Sequence, residues 1–197
     1  MSDTAVIRPA FHHVNLKTTR LQEMIDFYAV LVGAEVVHQD EAGAWLTNDG
    51  ANHRIALLAF PGMKDDPEKD TRTGMHHSAF EYPSFEDLNA SYVRLRAAGI
   101  EPAICLDHGM TLSYYYADPD GNHVELQCDA FGDWAAGREW MHSSEEFRAN
   151  PIGVFVRPDL IANAAAQGEG FQEIHRRARA GEFAPDTAPD IMPAQEG

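Results

Sequence analysis

The chain has 197 residues, 44% of them hydrophobic and 23% charged, enough to bury a core as one globular domain or two very small ones. Its 15 Lys and Arg against 31 Asp and Glu leave a formal net charge of -16, which repels phosphate backbones and anionic lipid and argues against nucleic-acid or membrane-surface roles. The N-terminus lacks a basic region followed by an apolar stretch, and the longest apolar run, Ile55 to Phe60, is far short of the ~20 residues a membrane span needs.

In chain order, residues 11–17 read as an extended segment. Leu21, Met24, Ile25, Tyr28 and Leu31 then step by three or four, predicting a helix that Gly33 closes at its C′ position. Strand-like runs follow at Glu35–Gln39, Ala44–Asn48 and His53–Phe60, and the polar stretch 62–74 serves as a linker. The same order then returns. Residues 75–81 are extended, and Ser84 with Asp87 forms a capping pair before a helix carrying Phe85, Leu88, Tyr92 and Leu95, with Gly99 at its end. Further strands are predicted at Glu101–Leu106, Thr111–Ala117 and Asn122–Cys128, the last two joined by a tight turn at Asp118-Pro-Asp-Gly121.

The two copies align at a constant offset of 64 residues, through Leu21/Phe85, Met24/Leu88, Tyr28/Tyr92 and Leu31/Leu95. Each reads βαβββ, and each alone would leave a sheet face bare. The expectation is therefore an α+β fold in which modules at about 9–62 and 74–130 pair into one domain, 9–130. Residues 131–183 form a partly helical C-terminal extension. Trp134, Trp140 and Met141 make its first part too apolar for water, residues 150–158 look extended, and 159–167 and 170–180 look helical. It is expected to pack on the domain or a neighbouring subunit, or to act as a lid, and a homo-oligomer is expected. Residues 184–197 read as a disordered tail. Cys105 and Cys128 read as buried thiols in a reducing cytoplasm.

Among ten histidines, His38, His142 and His175 taken singly are hydrogen-bonded structural or surface residues. The repeat separates His13 and His77 from these, because both open a module at equivalent positions. Strand alternation sends His12 and His76 to the other face. Glu125 follows the tight turn on a strand; alone it is a solvated carboxylate. With His13 and His77 it makes a two-histidine, one-carboxylate set, which suits Fe(II) with open coordination positions and also accommodates Mn(II). Tyr115 falls nearly opposite Glu125 across the hairpin, His108 lies in the loop entering it, and His53 begins the last strand of the first module.

The motifs "HHVNLKT", "FYAVLVG", "HHSAFEY" and above all "YYADPDGNHVELQ" resemble the vicinal oxygen chelate superfamily, the glyoxalase, bleomycin-resistance and dioxygenase fold. The resemblance covers roughly residues 9–130 and is strongest to small, one-domain type I extradiol catechol dioxygenases. It implies an oxidoreductase of aromatic catabolism that inserts both atoms of O2 into a catechol-type, possibly aryl-substituted, ring. It assigns His13, His77 and Glu125 to the iron, His53 to the neighbourhood of oxygen, His108 to proton handling and Tyr115 to the side of the ring. The alternatives are a metal-dependent lyase or isomerase of the glyoxalase type and a fosfomycin- or bleomycin-resistance protein. The lyases take a fourth ligand from the first module. Shifting Glu125 back by 64 gives Pro61, and Ile55 to Gly62 offers no ligating side chain, which argues against them.

Overall fold

A computed structural model describes residues 6–189. They divide into two compact units at Asp65/Asp66. In the first, β1 (Val14–Lys17) leads into α1 (Leu21–Val32), followed by β2 (Glu35–Asp40), β3 (Gly43–Thr47) and β4 (Ile55–Leu58). The predicted apolar stripe is the buried one: Met24, Ile25, Tyr28 and Leu31 face inward, onto β3 and β4. Each such side chain contributes roughly 1.5–3 kcal/mol by leaving water. Gly33 ends the helix in the left-handed region at φ 67°, where a side chain would be strained. The sheet runs β1-β4-β3-β2, with β1 parallel to β4 and the other pairs antiparallel. β2 is one of the two edge strands, and all six of its residues are exposed.

The second unit repeats the order: β5 (His77–Tyr82), α2 (Phe85–Ala97), β6 (Ile104–Asp107), β7 (Thr111–Ala117) and β8 (His123–Asp129). Ser84 caps α2 as predicted, accepting the Asp87 N–H at 3.2 Å while its hydroxyl donates to the Asp87 carboxylate at 2.8 Å. At the β7–β8 turn, Asp118 Oδ1 accepts the backbone N–H groups of Asp120 and Asn122. The extension belongs to this unit. It comprises α3 (Trp134–Ser143), α4 (Glu145–Ala149), β9 (Val154–Phe155), α5 (Pro158–Ala166) and α6 (Phe171–Arg179). β9 lengthens the sheet to β5-β8-β7-β6-β9, and Phe171 stacks on Phe85 with ring centroids 4.7 Å apart.

The α+β class and the twofold βαβββ order are borne out. Several boundaries differ. The strand predicted from His53 begins at Ile55, because Asp49 holds residues 51–54 in a turn by accepting from Ala51 N and Arg54 Nε. The strand predicted from Glu101 begins at Ile104, past Pro102, which has no N–H to give a ladder. The expected tail, 184–197, lies partly outside the described residues. Cys105 and Cys128 are both free and buried, and burial pushes the Cys128 thiol up to about 12. Among the described residues no helix is long and apolar enough to cross a membrane.

Candidate active site

In the first unit three imidazoles gather at one end of the sheet. The parallel β1–β4 register sets Val14 against Ile55, so the residues just before each strand, His12 and His13 on one and His53 on the other, arrive together. One ligand nitrogen from each lies within 4.8 Å of the other two. The His13 and His53 rings are 4.4 Å apart, and His12 is 5.3 Å from each. Arg54 secures the cluster by donating to the His12 carbonyl at 2.9 Å and to Asp49. Burial, then the adjacent His13 and His12 rings, lowers the pKa of His53 and keeps it neutral at pH 7.

The expectation that His12 points away from His13 is thereby corrected. Alternation holds only within a pleated strand, and β1 starts at Val14, after both residues. His76 likewise precedes β5, and its Nδ1 sits 2.8 Å from Nδ1 of His77.

In the second unit the strand registers build a longer chain of contacts. β5 runs parallel to β8 with Ala79 beside Glu125, and β7 runs antiparallel to β8 with Tyr115 directly opposite Glu125. His77 Nε2 lies 3.0 Å from Glu125 Oε2; the carboxylate is 5% exposed, whereas a third of the His77 side chain meets solvent. Burial alone would raise the Glu125 pKa, but hydrogen bonds from His77 and Ser113 outweigh it and hold the group ionised. Burial first, and then the Glu125 charge, raises Tyr115, which stays a neutral phenol. Its hydroxyl is 2.8 Å from Nε2 of His108, whose Nδ1 lies 2.6 Å from the carbonyl oxygen of Ile152. A carbonyl only accepts, so Nδ1 carries a proton, which leaves Nε2 as the nitrogen that can accept from Tyr115.

The six predicted residues therefore form two groups, His13 with His53 in one unit and His77, Glu125, Tyr115 and His108 in the other. Sequence reasoning missed His12, Ser113 and the Ile152 carbonyl. Ser113 was accessible to it, since it lies two residues before Tyr115 on the same face of β7.

The first-module counterpart of Glu125 also needs correction. Asn15 corresponds to Ala79 at the 64-residue offset, and Asn15 pairs with Ala56 as Ala79 pairs with Glu125. The counterpart is therefore Ala56, not Pro61, because the second copy gains residues between its helix and its last strand. Alanine has no donor atom, so the first module still supplies no carboxylate. An ionised, buried carboxylate beside a partly exposed imidazole is a fitting start for a divalent metal that keeps open positions.

The chain belongs to the glyoxalase/bleomycin resistance protein/dioxygenase superfamily, whose model matches residues 10–126. It is 39% identical over 178 residues to biphenyl-2,3-diol 1,2-dioxygenase 2 of Rhodococcus globerulus, covering 90% of this chain and 93% of that protein. It is 38% identical to biphenyl-2,3-diol 1,2-dioxygenase 3 of the same organism, over 87% of this chain and 90% of that one. The expected enzyme class, an extradiol dioxygenase and hence an oxidoreductase with a catalytic metal, is borne out by these relatives. A match of 178 residues necessarily runs past residue 126 into the C-terminal extension. A glyoxylase/bleomycin resistance protein/dioxygenase domain from Frankia sp. EAN1pec shares the fold, with a TM-score of 0.54 at 19% identity over 64% of this chain and 96% of that one.

Proposed function

We propose that the protein opens an aryl-substituted catechol with molecular oxygen at a mononuclear Fe(II), with His13, His77 and Glu125 as ligands and His53, His108 and Tyr115 around the substrate. The observation that carries the reading is the Glu125–Tyr115–His108 series: a buried anion beside His77, a phenol facing it, and an imidazole whose acceptor nitrogen stands behind the phenol. Two relatives named for biphenyl-2,3-diol support an aryl substituent on the ring. Imidazole and carboxylate ligands also suit Mn(II).

When bound, the metal supplies positive charge that lowers the pKa of the catechol hydroxyls and a place where ring and oxygen meet. The protein moves the proton. A substrate hydroxyl beside Tyr115 donates to the phenol oxygen as the phenol donates to His108 Nε2, and the imidazolium so formed keeps its Nδ1–H on the Ile152 carbonyl. His53, neutral and poised as a donor, stabilises negative charge developing on oxygen.

Residues 9–130 are proposed to act as one metal-binding domain with 131–183 as its extension. Two free, buried cysteines support a cytoplasmic setting. Trp134, 72% exposed, and the exposed β2 edge support a homo-oligomer. The test is to load the chain anaerobically with Fe(II) and supply biphenyl-2,3-diol or catechol with air. A yellow ring-opened product, formed faster from the biphenyl compound, is the expected result. Equal rates would remove the aryl preference, and no product from either would remove the function.

A further inference from the structure

The last helix reaches His108 through a buried carboxylate. Asp107, the final residue of β6 and the neighbour of His108, is 0% exposed. Its Oδ2 accepts from His175 Nδ1 at 2.7 Å, and its Oδ1 accepts from the Gly109 N–H at 2.9 Å. Arg179 adds an ion pair to Oδ1 at 3.6 Å and donates to the Asp107 carbonyl oxygen at 3.2 Å. Both chain neighbours of His108 are thus tied, one directly and one through the carboxylate, to two side chains on α6.

Other parts of the extension hold the same loop from different sides. The loop before β9 supplies the Ile152 carbonyl to Nδ1 of His108. Gly153, at φ 91°, lies so close to the Asp107 carbonyl and the His108 Cα that a Cβ there would overlap both. Gly109, at φ 88°, lies so close to the Trp140 ring of α3 that a Cβ there would overlap it. A buried ion pair is weak evidence of stability, since well-packed apolar residues would do as well. Its directional bonds are a different matter, because they fix where the loop, and with it His108 Nε2, must stand. Misplacing a reacting group by about 1 Å can cost on the order of a hundredfold in rate.

We propose that His175 and Arg179 are positioning residues for His108, acting through Asp107, so that the C-terminal extension completes the active site. The inference rests on the reading of His108 as the proton acceptor.

The test uses the full-length chain. With Fe(II) bound, His175→Ala is expected to lower kcat by about tenfold or more per iron, with KM changed less than about threefold. His175→Asn, whose amide nitrogen can stand in for Nδ1, is expected to recover most of the rate. Thermal midpoints and iron content are measured beside the kinetics, and Arg179→Gln is assayed in the same way should His175→Ala fail to fold. A second readout needs no turnover. Side-chain nitrogen NMR of the chain loaded with diamagnetic Zn(II) is expected to show His108 as a single tautomer with Nδ1 protonated, mixed tautomers in His175→Ala, and the single form again in His175→Asn. Unchanged kcat and an unchanged tautomer in His175→Ala, even with a lower thermal midpoint, would overturn the proposal. If the parent chain opens no ring, the functional reading falls and the NMR arm alone decides the positioning.

Discussion

Tyr115 faces Glu125 across the β7–β8 ladder, and the two groups are held in opposite protonation states. Burial pushes both pKa values up. The carboxylate escapes this because it accepts from His77 and Ser113, whereas the phenol is raised further by the carboxylate's charge. Removing the phenolic oxygen leaves His77 and Ser113 on Glu125 and interrupts only the path to His108. Tyr115→Phe is therefore expected to retain metal and to lose about a hundredfold in kcat, as metal analysis and steady-state kinetics would show.

Glu125→Ala acts on the metal instead. It deletes the only carboxylate of the proposed ligand set and leaves His77 without its 3.0 Å partner. Metal content after gel filtration is expected to fall to a small fraction of the parent's, with the far-ultraviolet circular dichroism unchanged. Full metal retention would take Glu125 out of the site.

Much of this pair is legible in the sequence. The turn at Asp118–Gly121 sets the β7–β8 register, and that register alone puts Tyr115 opposite Glu125. The apolar stripes of α1 and α2 were equally plain, because core-facing side chains must recur every three or four residues. Strand alternation misplaces His12 and His76 because both lie ahead of their strands. The counterpart of Glu125 was misplaced because the offset between copies changes after the helices, where loop length is free to drift. The bond from His175 to Asp107 spans 68 residues and depends on how α6 packs, which no local pattern encodes.

Gly153 tests the seam between the extension and the His108 loop. A methyl group there meets the Asp107 carbonyl and the His108 Cα at a positive φ, so the segment must move and carry the Ile152 carbonyl with it. Gly153→Ala is expected to destabilise the protein by more than about 1 kcal/mol in urea unfolding and to slow turnover as well. A change in stability alone would mean that the Ile152 bond is dispensable.

Around His53 the loop is pinned by a carboxylate that titrates low. The Arg54 guanidinium, together with the Ala51 N–H, holds Asp49 at about 2 against an ordinary 3.8. Because the folded value is the lower one, this contribution to stability is complete above the unfolded value near 3.8 and is lost as the pH falls through about 2. In Arg54→Ala, NMR titration is expected to find Asp49 raised from about 2 towards its ordinary value, with the Ala51 N–H still holding it below. The stability gap between the two proteins should narrow as the pH drops through that window.

The central claim, that both atoms of molecular oxygen enter a catechol ring at this site, is tested most directly by isotope. The Fe(II)-loaded chain is given a catechol under labelled oxygen, and the ring-opened product is weighed by mass spectrometry. The account predicts two labelled atoms per product molecule, with one oxygen molecule consumed for each ring opened. Product carrying one label or none, or a chain with iron bound that takes up no oxygen across a panel of catechols, would contradict it.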